Sequence, residues 1–193
     1  MYVAIEGIDT AGKSTQIERL RAALPDAIIT KEPGGTPTGS KIRDIVLHGD
    51  VKSPTAELLL FLADRSEHIE DVVRPNLGGL IISDRSVLSG LAYAMVQQRF
   101  DVEKLVELNR FATEGILPER AFLLQLSEAE LEHRLSQKEH DAIESRGTEY
   151  LLRIQAALIE AASLLGIDLT VIDASNSMET ITEEIINTIK GNQ

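Results

Sequence analysis

The 193-residue sequence contains no cysteine and no tryptophan, and aromatic residues make up only 4% of it. Without cysteine the chain can form neither a disulfide nor a thiolate metal site. It also lacks the run of about eighteen apolar residues that a membrane-spanning helix requires. Strand-like residues begin at position 2, which leaves no room for a signal peptide. These absences predict a cytoplasmic protein that does not enter a membrane.

Positive charge is also scarce. The chain has 19 Lys and Arg against 31 Asp and Glu, which gives a formal net charge of -12. An acidic surface disfavours nucleic-acid binding, because such binding needs a basic face. A phosphate ligand would also be repelled unless the few cations gather locally. The candidates for such a cluster, all of which could equally be surface residues, are Lys13, Arg43, Arg65, Arg85, Arg134, Lys138 and Arg146.

Apolar runs that resemble strands alternate with helical stretches along the chain. The hydrophobic content of 43% is enough for a full core, and we expect residues 1–193 to form a single domain. Near-continuous apolar strands separated by helices are typical of a parallel sheet covered on both faces. The five predicted strands are residues 3–5, 27–30, 80–83, 121–126 and 169–172. With right-handed crossovers they give a doubly wound α/β fold.

Four further segments carry specific expectations. Asn176 and Glu179 have the spacing of a capping box, as do Ser127 and Glu130, so each pair predicts a helix start. Residues 58–62 are apolar all round, which predicts burial either in the core or against another subunit. Residues 136–148 are polar with little periodicity and are typical of a mobile lid or of a surface loop.

The strongest motif is Gly7-Ile8-Asp9-Thr10-Ala11-Gly12-Lys13-Ser14, which fits the pattern G-x-x-x-x-G-K-S. It follows an apolar strand and precedes a helix, the setting in which backbone N–H groups converge on one phosphate. Lys13 would reach the β- and γ-phosphates, and the Ser14 hydroxyl would bind magnesium. The motif predicts a P-loop NTPase fold. The residues expected to bind ATP are Gly7, Ile8, Asp9, Thr10, Ala11, Gly12, Lys13, Ser14 and Thr15.

Three weaker signals lie elsewhere. The turn-rich segment of residues 31–36 follows the second strand, where open α/β sheets bind ligands, although it also fits a plain connector. Phe61 and Arg65 are four residues apart on one helix face and could hold a planar base, or could be a core and a surface residue. Asp84 and Arg85 end the third strand, where an acidic residue can orient magnesium-bound water.

Together these pieces resemble the thymidylate kinases, which transfer a phosphoryl group from ATP to dTMP. Lys31-Glu32-Pro33-Gly34-Gly35-Thr36 resembles the family's R-E-P-G-G-T, and the segment from Leu59 to Arg65 follows it in family order. Asp84 and Arg85, with Ser89 and Tyr93 behind them, have the spacing of D-R-Y-x-x-S-x-x-A-Y. Residues 141–144 resemble the lid sequence D-R-I-E, and residues 173–175 match the usual adenine-side loop.

The resemblance implies roles for the matching residues. Asp9 would hold the 3′-hydroxyl of the dTMP sugar, Arg43 and Arg85 would bind its phosphate, and Tyr93 would exclude a 2′-hydroxyl. Phe61 and Arg65 would stack on thymine and donate a hydrogen bond to its O4. The set expected to bind dTMP is Asp9, Glu32, Pro33, Arg43, Phe61, Arg65, Arg85, Ser89 and Tyr93. The resemblance also implies a homodimer.

The expected chemistry is direct in-line transfer that depends on positioning and charge neutralisation. Mg²⁺ is expected as Mg-ATP, held by Ser14 and Asp84. The residues expected to act in catalysis are Lys13, Asp84, Arg85, Arg134 and Arg146.

Several positions depart from the family pattern. Thr10 stands where one family type has a catalytic arginine and the other usually a glycine. The resemblance therefore implies that the transition-state arginine comes from the lid, as in the second type. Ala142 replaces the arginine of D-R-I-E, however, and leaves Arg134, Lys138 and Arg146 as candidates. Ser86 replaces the tyrosine of D-R-Y, and Ala94 a frequent glutamine, which could loosen the acceptor site.

Other functions remain open from sequence alone. The chain could be a nucleotide or deoxynucleoside kinase with a broader acceptor range. A P-loop GTPase or ATPase switch is a second alternative, but the sequence has no N-K-x-D motif for guanine. A third is a protein that binds ATP without turnover.

Overall fold

The computed structural model describes residues 1–137 and 146–191, and its centre is a parallel sheet of five strands. The strands are β1 Tyr2–Glu6, β2 Ile28–Lys31, β3 Ile81–Asp84, β4 Arg120–Gln125 and β5 Asp168–Asp173. Every predicted strand is confirmed, with each boundary shifted by one residue. The order across the sheet is β2-β3-β1-β4-β5, which places β1 at the centre. The predicted α/β fold class is therefore confirmed.

Helices connect successive strands of the sheet, and one more follows the last strand. They are α1 Lys13–Ala23, α2 Pro37–His48, α3 Pro54–His68, α4 Val87–Gln97, α5 Val102–Thr113, α6 Glu128–Leu135, α7 Thr148–Leu165 and α8 Met178–Lys190. A π-helical turn at Ile69–Val73 and a 3-10 turn at Arg74–Asn76 follow α3. Within the described ranges, no helix combines the length and the apolarity needed to cross a bilayer.

Both faces of the sheet are covered. Every residue of β1 is buried, and because successive side chains of a strand point to opposite faces, both faces must be packed. Helix α1 packs against α8, while α4 packs against α5 and α7. The main apolar core joins these helices to the inner strands, with Ile5, Leu88, Phe122 and Leu158 among its fully buried members.

The register of the strands brings three loops to one edge of the sheet. Ile5 of β1 lies beside Asp84 of β3, and Lys31 of β2 lies on the other side of Asp84. The segments that follow β1, β2 and β3 therefore leave the sheet side by side. This alignment is what places the P-loop next to the loop of residues 32–36 and next to Arg85.

Helix starts agree with the sequence at one predicted capping pair and differ at the other. The Ser127 hydroxyl accepts a hydrogen bond from the backbone N–H of Glu130 at 3.3 Å, as predicted. The expected cap at Asn176 is wrong, because its N–H donates to the carbonyl of Asp173 in a turn. The helix begins one residue later, and Ser177 Oγ accepts from the N–H of Thr180 at 3.1 Å.

The apolar segment at residues 58–62 is only partly buried. Leu62 is 7% exposed, but Leu59 points outward and is 55% exposed. The prediction of burial in the core is therefore wrong for Leu59. Most of the predicted lid, including Lys138 and the D-R-I-E-like residues 141–144, lies outside the described residues. The predicted lid segment ends at residue 148, which is where α7 begins.

Replacing Ser177 by alanine should destabilise the fold by about 1 kcal/mol, because it removes the side chain that caps α8. Asn176→Ala is the matched control, since Asn176 lies next to the cap without providing it. Urea unfolding of both variants measures the difference. Equal losses in the two variants, or a larger loss for Asn176→Ala, would contradict the observed helix start.

Candidate active site

The P-loop turns sharply into α1. Gly12 adopts a left-handed backbone conformation at φ 94° and forms the N-cap of α1, with Lys13 as the first helical residue. Thr10 is also left-handed at φ 70°, which is unusual for a β-branched residue. The free N–H groups at this helix start and the macrodipole both favour an anion. The local geometry is thus that of a phosphate cradle.

Lys13 is buried among charged neighbours, with 7% of the residue exposed. Its Nζ donates to the carbonyl oxygen of Ile8 at 2.9 Å and lies 3.8 Å from Asp9 Oδ1. Burial, reinforced by the nearby charge of Arg85, lowers the pKa of Lys13 to about 8, against the opposing effect of Asp9. The folded protein therefore disfavours the charged ammonium of Lys13, and a bound phosphate would offset that penalty.

Arg85 lies against the P-loop. Its Nη2 donates to Asp9 Oδ1 at 2.7 Å, and its Nη1 donates to the carbonyl of Gly7 and to Ser89 Oγ, both at 3.1 Å. The residue itself is left-handed at φ 65°. Asp9 thus has Arg85 on one side and Lys13 on the other, so the predicted acceptor arginine and the donor lysine meet at one carboxylate.

Asp84 and Ser14 face the same cleft. Both line a cavity of about 410 Å³ that runs between α1 and the loop after β2. Asp84 Oδ1 is buried and has no hydrogen-bond partner among the described residues. A buried unpaired carboxylate oxygen beside a serine hydroxyl provides the oxygen donors that Mg²⁺ prefers. The residues present therefore fit the expected Mg²⁺.

A second cluster surrounds Arg65 on α3. Its Nε donates to Glu32 Oε2 at 2.9 Å, and its Nη1 donates to Asn109 Oδ1 at 2.6 Å. Glu32 Oε1 also pairs with His68 Nδ1 at 2.8 Å, and the other ring nitrogen of His68 lies 2.8 Å from Thr30 Oγ1. Burial alone would raise the pKa of Glu32, but the charge of Arg65 and the His68 contact hold it below its usual value. Arg65 itself is buried, so the alternative that it is a surface residue is wrong.

Phe61, Gly90 and Tyr93 complete this side of the site. Phe61 is half-buried, one turn before Arg65 on α3. Gly90 lies against Arg65. A Cβ built on Gly90 would overlap the Arg65 guanidinium, so the absence of a side chain makes room for it. The Tyr93 ring centroid lies 5.8 Å from the Arg85 guanidinium carbon, and burial raises the pKa of Tyr93 to about 12. The phenol therefore stays protonated beside Arg85.

The loop after β2 is held from two directions. Arg43 Nη1 donates to the carbonyl of Pro33 at 3.1 Å, and its aliphatic stem lies against Gly34. Asp64, 1% exposed, accepts a hydrogen bond from the N–H of Gly34 at 2.8 Å. The Glu32–Pro33 peptide bond is cis. The loop thus brings Arg43 to the same end of the sheet as Arg85.

The two candidate lid arginines differ in their contacts. Arg134 donates to Glu130 at 2.6 Å, to the carbonyl of Thr10 at 3.0 Å and to the carbonyl of Ala174 at 2.7 Å. It therefore ties the P-loop to the loop after β5. Arg146 is exposed, donates to Tyr150 Oη at 3.0 Å and lies 4.9 Å from the centroid of that ring.

The structure adds residues that sequence reasoning did not assign. Asn109 of α5 and His68 of α3 are both buried in the Arg65 cluster. Neither belongs to a local motif, and only their packing against Arg65 and Glu32 shows their place. Glu6 did carry a signal, since it is a charged residue at the end of an otherwise apolar strand.

The family model described as "Thymidylate kinase" matches residues 5–185. The chain belongs to the thymidylate kinase family. A thymidylate kinase of Sulfurimonas denitrificans is 61% identical over 189 residues, covering 98% of this chain and 99% of the relative. That of Wolinella succinogenes is 54% identical over 187 residues, covering 97% of each chain.

The fold agrees with a solved member of the family. The crystal structure of the thymidylate kinase of Ehrlichia chaffeensis matches with a TM-score of 0.76 and covers 98% of each chain. Its sequence identity is 24%, so this likeness concerns the fold.

Replacing Lys13 by methionine should abolish phosphoryl transfer and yet stabilise the ligand-free protein, by on the order of 1 kcal/mol. A lysine pKa lowered from 10.5 to about 8 means that the folded state disfavours the charged form. The lost bond to Ile8 offsets part of the gain.

The pH dependence of the stabilisation by Lys13→Met tests the lowered pKa more directly than the size of the stabilisation does. The penalty on wild type is complete below pH 8 and disappears as pH rises from about 8 to 10.5, where the unfolded lysine also loses its proton. The stability advantage of Lys13→Met in urea unfolding should shrink over that range. A stability advantage of Lys13→Met that does not change with pH would contradict the lowered pKa of Lys13.

Proposed function

We propose that this chain transfers the γ-phosphoryl group of ATP to the phosphate of dTMP, giving dTDP and ADP. The observation that carries the proposal is the meeting of Lys13 and Arg85 at Asp9, at 3.8 Å and 2.7 Å. One cation belongs to the triphosphate cradle and the other to the acceptor side. Two phosphate groups bound there would lie next to each other, as in-line transfer requires.

The donor half is the P-loop. The N–H groups at the start of α1, with Lys13, would bind the β- and γ-phosphates. Ser14 and Asp84 would hold Mg²⁺. When bound with ATP, that ion offsets the charge of the phosphate oxygens.

The acceptor half combines Asp9, Arg43, Arg85 and Tyr93. We assign the dTMP phosphate to the two arginines and the sugar to Asp9 and Tyr93. A half-buried tyrosine ring at that position leaves an added 2′-hydroxyl without a partner, which disfavours ribose. Because the acceptor oxygen is already anionic at neutral pH, the transfer needs no strong general base.

Phe61 and Arg65 would hold the thymine ring. A half-buried aromatic ring supplies stacking area, and a guanidinium can donate to a carbonyl edge. Glu32 has both carboxylate oxygens engaged, with Arg65 and His68, so we assign it the role of fixing Arg65. Pro33 and Ser89 have corresponding supporting roles through Arg43 and Arg85.

The other functions considered have less support. A guanine switch would leave the buried Arg65 cluster and the Asp84–Arg85 pair without a purpose. A broader kinase remains a measurable alternative, because Ser86 and Ala94 differ from the family pattern. We place the reaction in the cytoplasm, within one domain that spans residues 1–193.

An acceptor panel tests the proposed activity. With Mg-ATP as donor, kcat/KM for dTMP should exceed that for dUMP by roughly 10-fold, since the two differ by one buried methyl group. The values for dCMP, dGMP and thymidine should be lower still. Lys13→Ala controls for a contaminating kinase. Equal rates with all nucleotides, or a preference for thymidine, would overturn the proposal.

We further propose that the chain forms a homodimer through α3 and α5. Leu59 of α3 is 55% exposed and Phe111 of α5 is 82% exposed, and the two helices pack against each other. Exposed large apolar side chains on adjoining helices are typical of an interaction surface.

Leu59→Glu should convert the dimer into a monomer of 21.2 kDa, because it places a charge in the apolar interface. Light scattering after size exclusion measures the mass. Ile159→Glu, on α7 and 41% exposed, is the matched control and should remain dimeric. A monomeric wild type, or a dimer in Leu59→Glu, would contradict this interface.

A further inference from the structure

Glu6 is a buried acid that the proposed reaction does not use. It ends β1, its residue is 0% exposed, and burial raises the pKa of its carboxyl group against the effect of hydrogen bonds from Ser89 and Ser86. Ser86 Oγ donates to Oε1 at 2.7 Å, and Ser89 Oγ donates to Oε2 at 2.5 Å. Both carboxylate oxygens therefore receive a hydrogen bond from the start of α4. A buried carboxylate with a hydrogen bond to each oxygen is held in one orientation.

The Ser89 hydroxyl stands between Glu6 and Arg85. A serine hydroxyl has one hydrogen and two lone pairs. Since the hydrogen points to Glu6, the lone pairs are left for other partners, and Arg85 Nη1 donates to that oxygen at 3.1 Å. The guanidinium is fixed at its far end by Asp9, at 2.7 Å from Nη2. The linkage therefore runs from Glu6 through Ser89 to Arg85.

We propose that Glu6 is a positioning residue, which fixes the Ser89 hydroxyl and thereby holds Arg85 in the orientation that binds the acceptor phosphate. The inference rests on the acceptor role proposed for Arg85. Glu6 acts through Ser89, which lies between the carboxylate and the guanidinium. Its effect is therefore expected on the acceptor and only weakly on ATP.

The charge of Glu6 has an opposite effect that the experiment must separate. A carboxylate near Arg85 and Lys13 reduces the positive potential at the phosphate site. If only that charge mattered, removing it would strengthen the binding of dTMP. If orientation matters, a glutamine will weaken it, because its amide has one acceptor oxygen where the carboxylate has two, and can no longer hold both serine hydroxyls. The two effects therefore differ in sign.

The test is steady-state kinetics of Glu6→Gln, Ser89→Ala and the double variant at pH 7, with dTMP and ATP varied separately. Glu6→Gln should raise KM for dTMP by about 10-fold, which corresponds to about 1.4 kcal/mol, and should leave KM for ATP within about twofold. Ser89→Ala should have a similar effect. The double variant should be no worse than the more affected single variant, because both changes break one linkage.

Three results with these variants would overturn the proposal. They are an unchanged or lowered KM for dTMP in Glu6→Gln, a parallel rise of both KM values, and effects of the two substitutions that multiply. If Glu6→Gln does not fold, an unchanged KM for dTMP in Ser89→Ala overturns the proposal as well, because that variant removes the intermediate hydroxyl. A wild type without activity on dTMP would instead contradict the proposed function, so the two failures can be told apart.

Discussion

The contact between Asp9 and Arg85 is the interaction on which the site depends. A chain with a net charge of -12 can bind two phosphorylated substrates only if it concentrates its cations. Cations packed together repel one another, and the carboxylate of Asp9, which pairs with both, offsets part of the repulsion between Arg85 and Lys13. When phosphates arrive, they can take over part of that compensation. The carboxylate therefore keeps the site assembled before substrates bind.

The order of strands makes that contact possible. Because β1 lies between β3 and β4, the P-loop after β1 emerges beside Asp84 and Arg85 at the end of β3. The strand β2 lies beyond β3 and brings the loop of residues 32–36 to the same edge. Asp9 and Arg85, 76 positions apart in the sequence, thus meet at hydrogen-bond distance. The parallel arrangement is the second requirement, since it makes all carboxyl ends point the same way.

Local patterns predict much of this architecture. The strands and the P-loop are recognisable because apolar runs and Gly-rich turns are short-range signals. Long-range partners are different: nothing near Arg65 in the sequence indicates that Asn109 would accept its hydrogen bond or that Gly90 would make room for it. The capping-box spacing misplaces the start of α8 for a local reason, since Asn176 satisfies its backbone N–H in a turn. Leu59 shows a further limit, because an apolar residue in a helix can face a partner as well as a core.

The arginine missing at Thr10 is the main chemical difference from the family pattern, and the contacts of the two candidates bear on its replacement. Arg134 donates from all three of its nitrogens, and two of those bonds hold the carbonyls of Thr10 and Ala174. Moving it toward a transferring phosphate would release the P-loop from the loop after β5. Arg146 is exposed, and its guanidinium rests on Tyr150, so reorienting it disturbs only a surface contact. We therefore propose that Arg134 supports the P-loop and that Arg146 is the arginine that turns toward the transferring group.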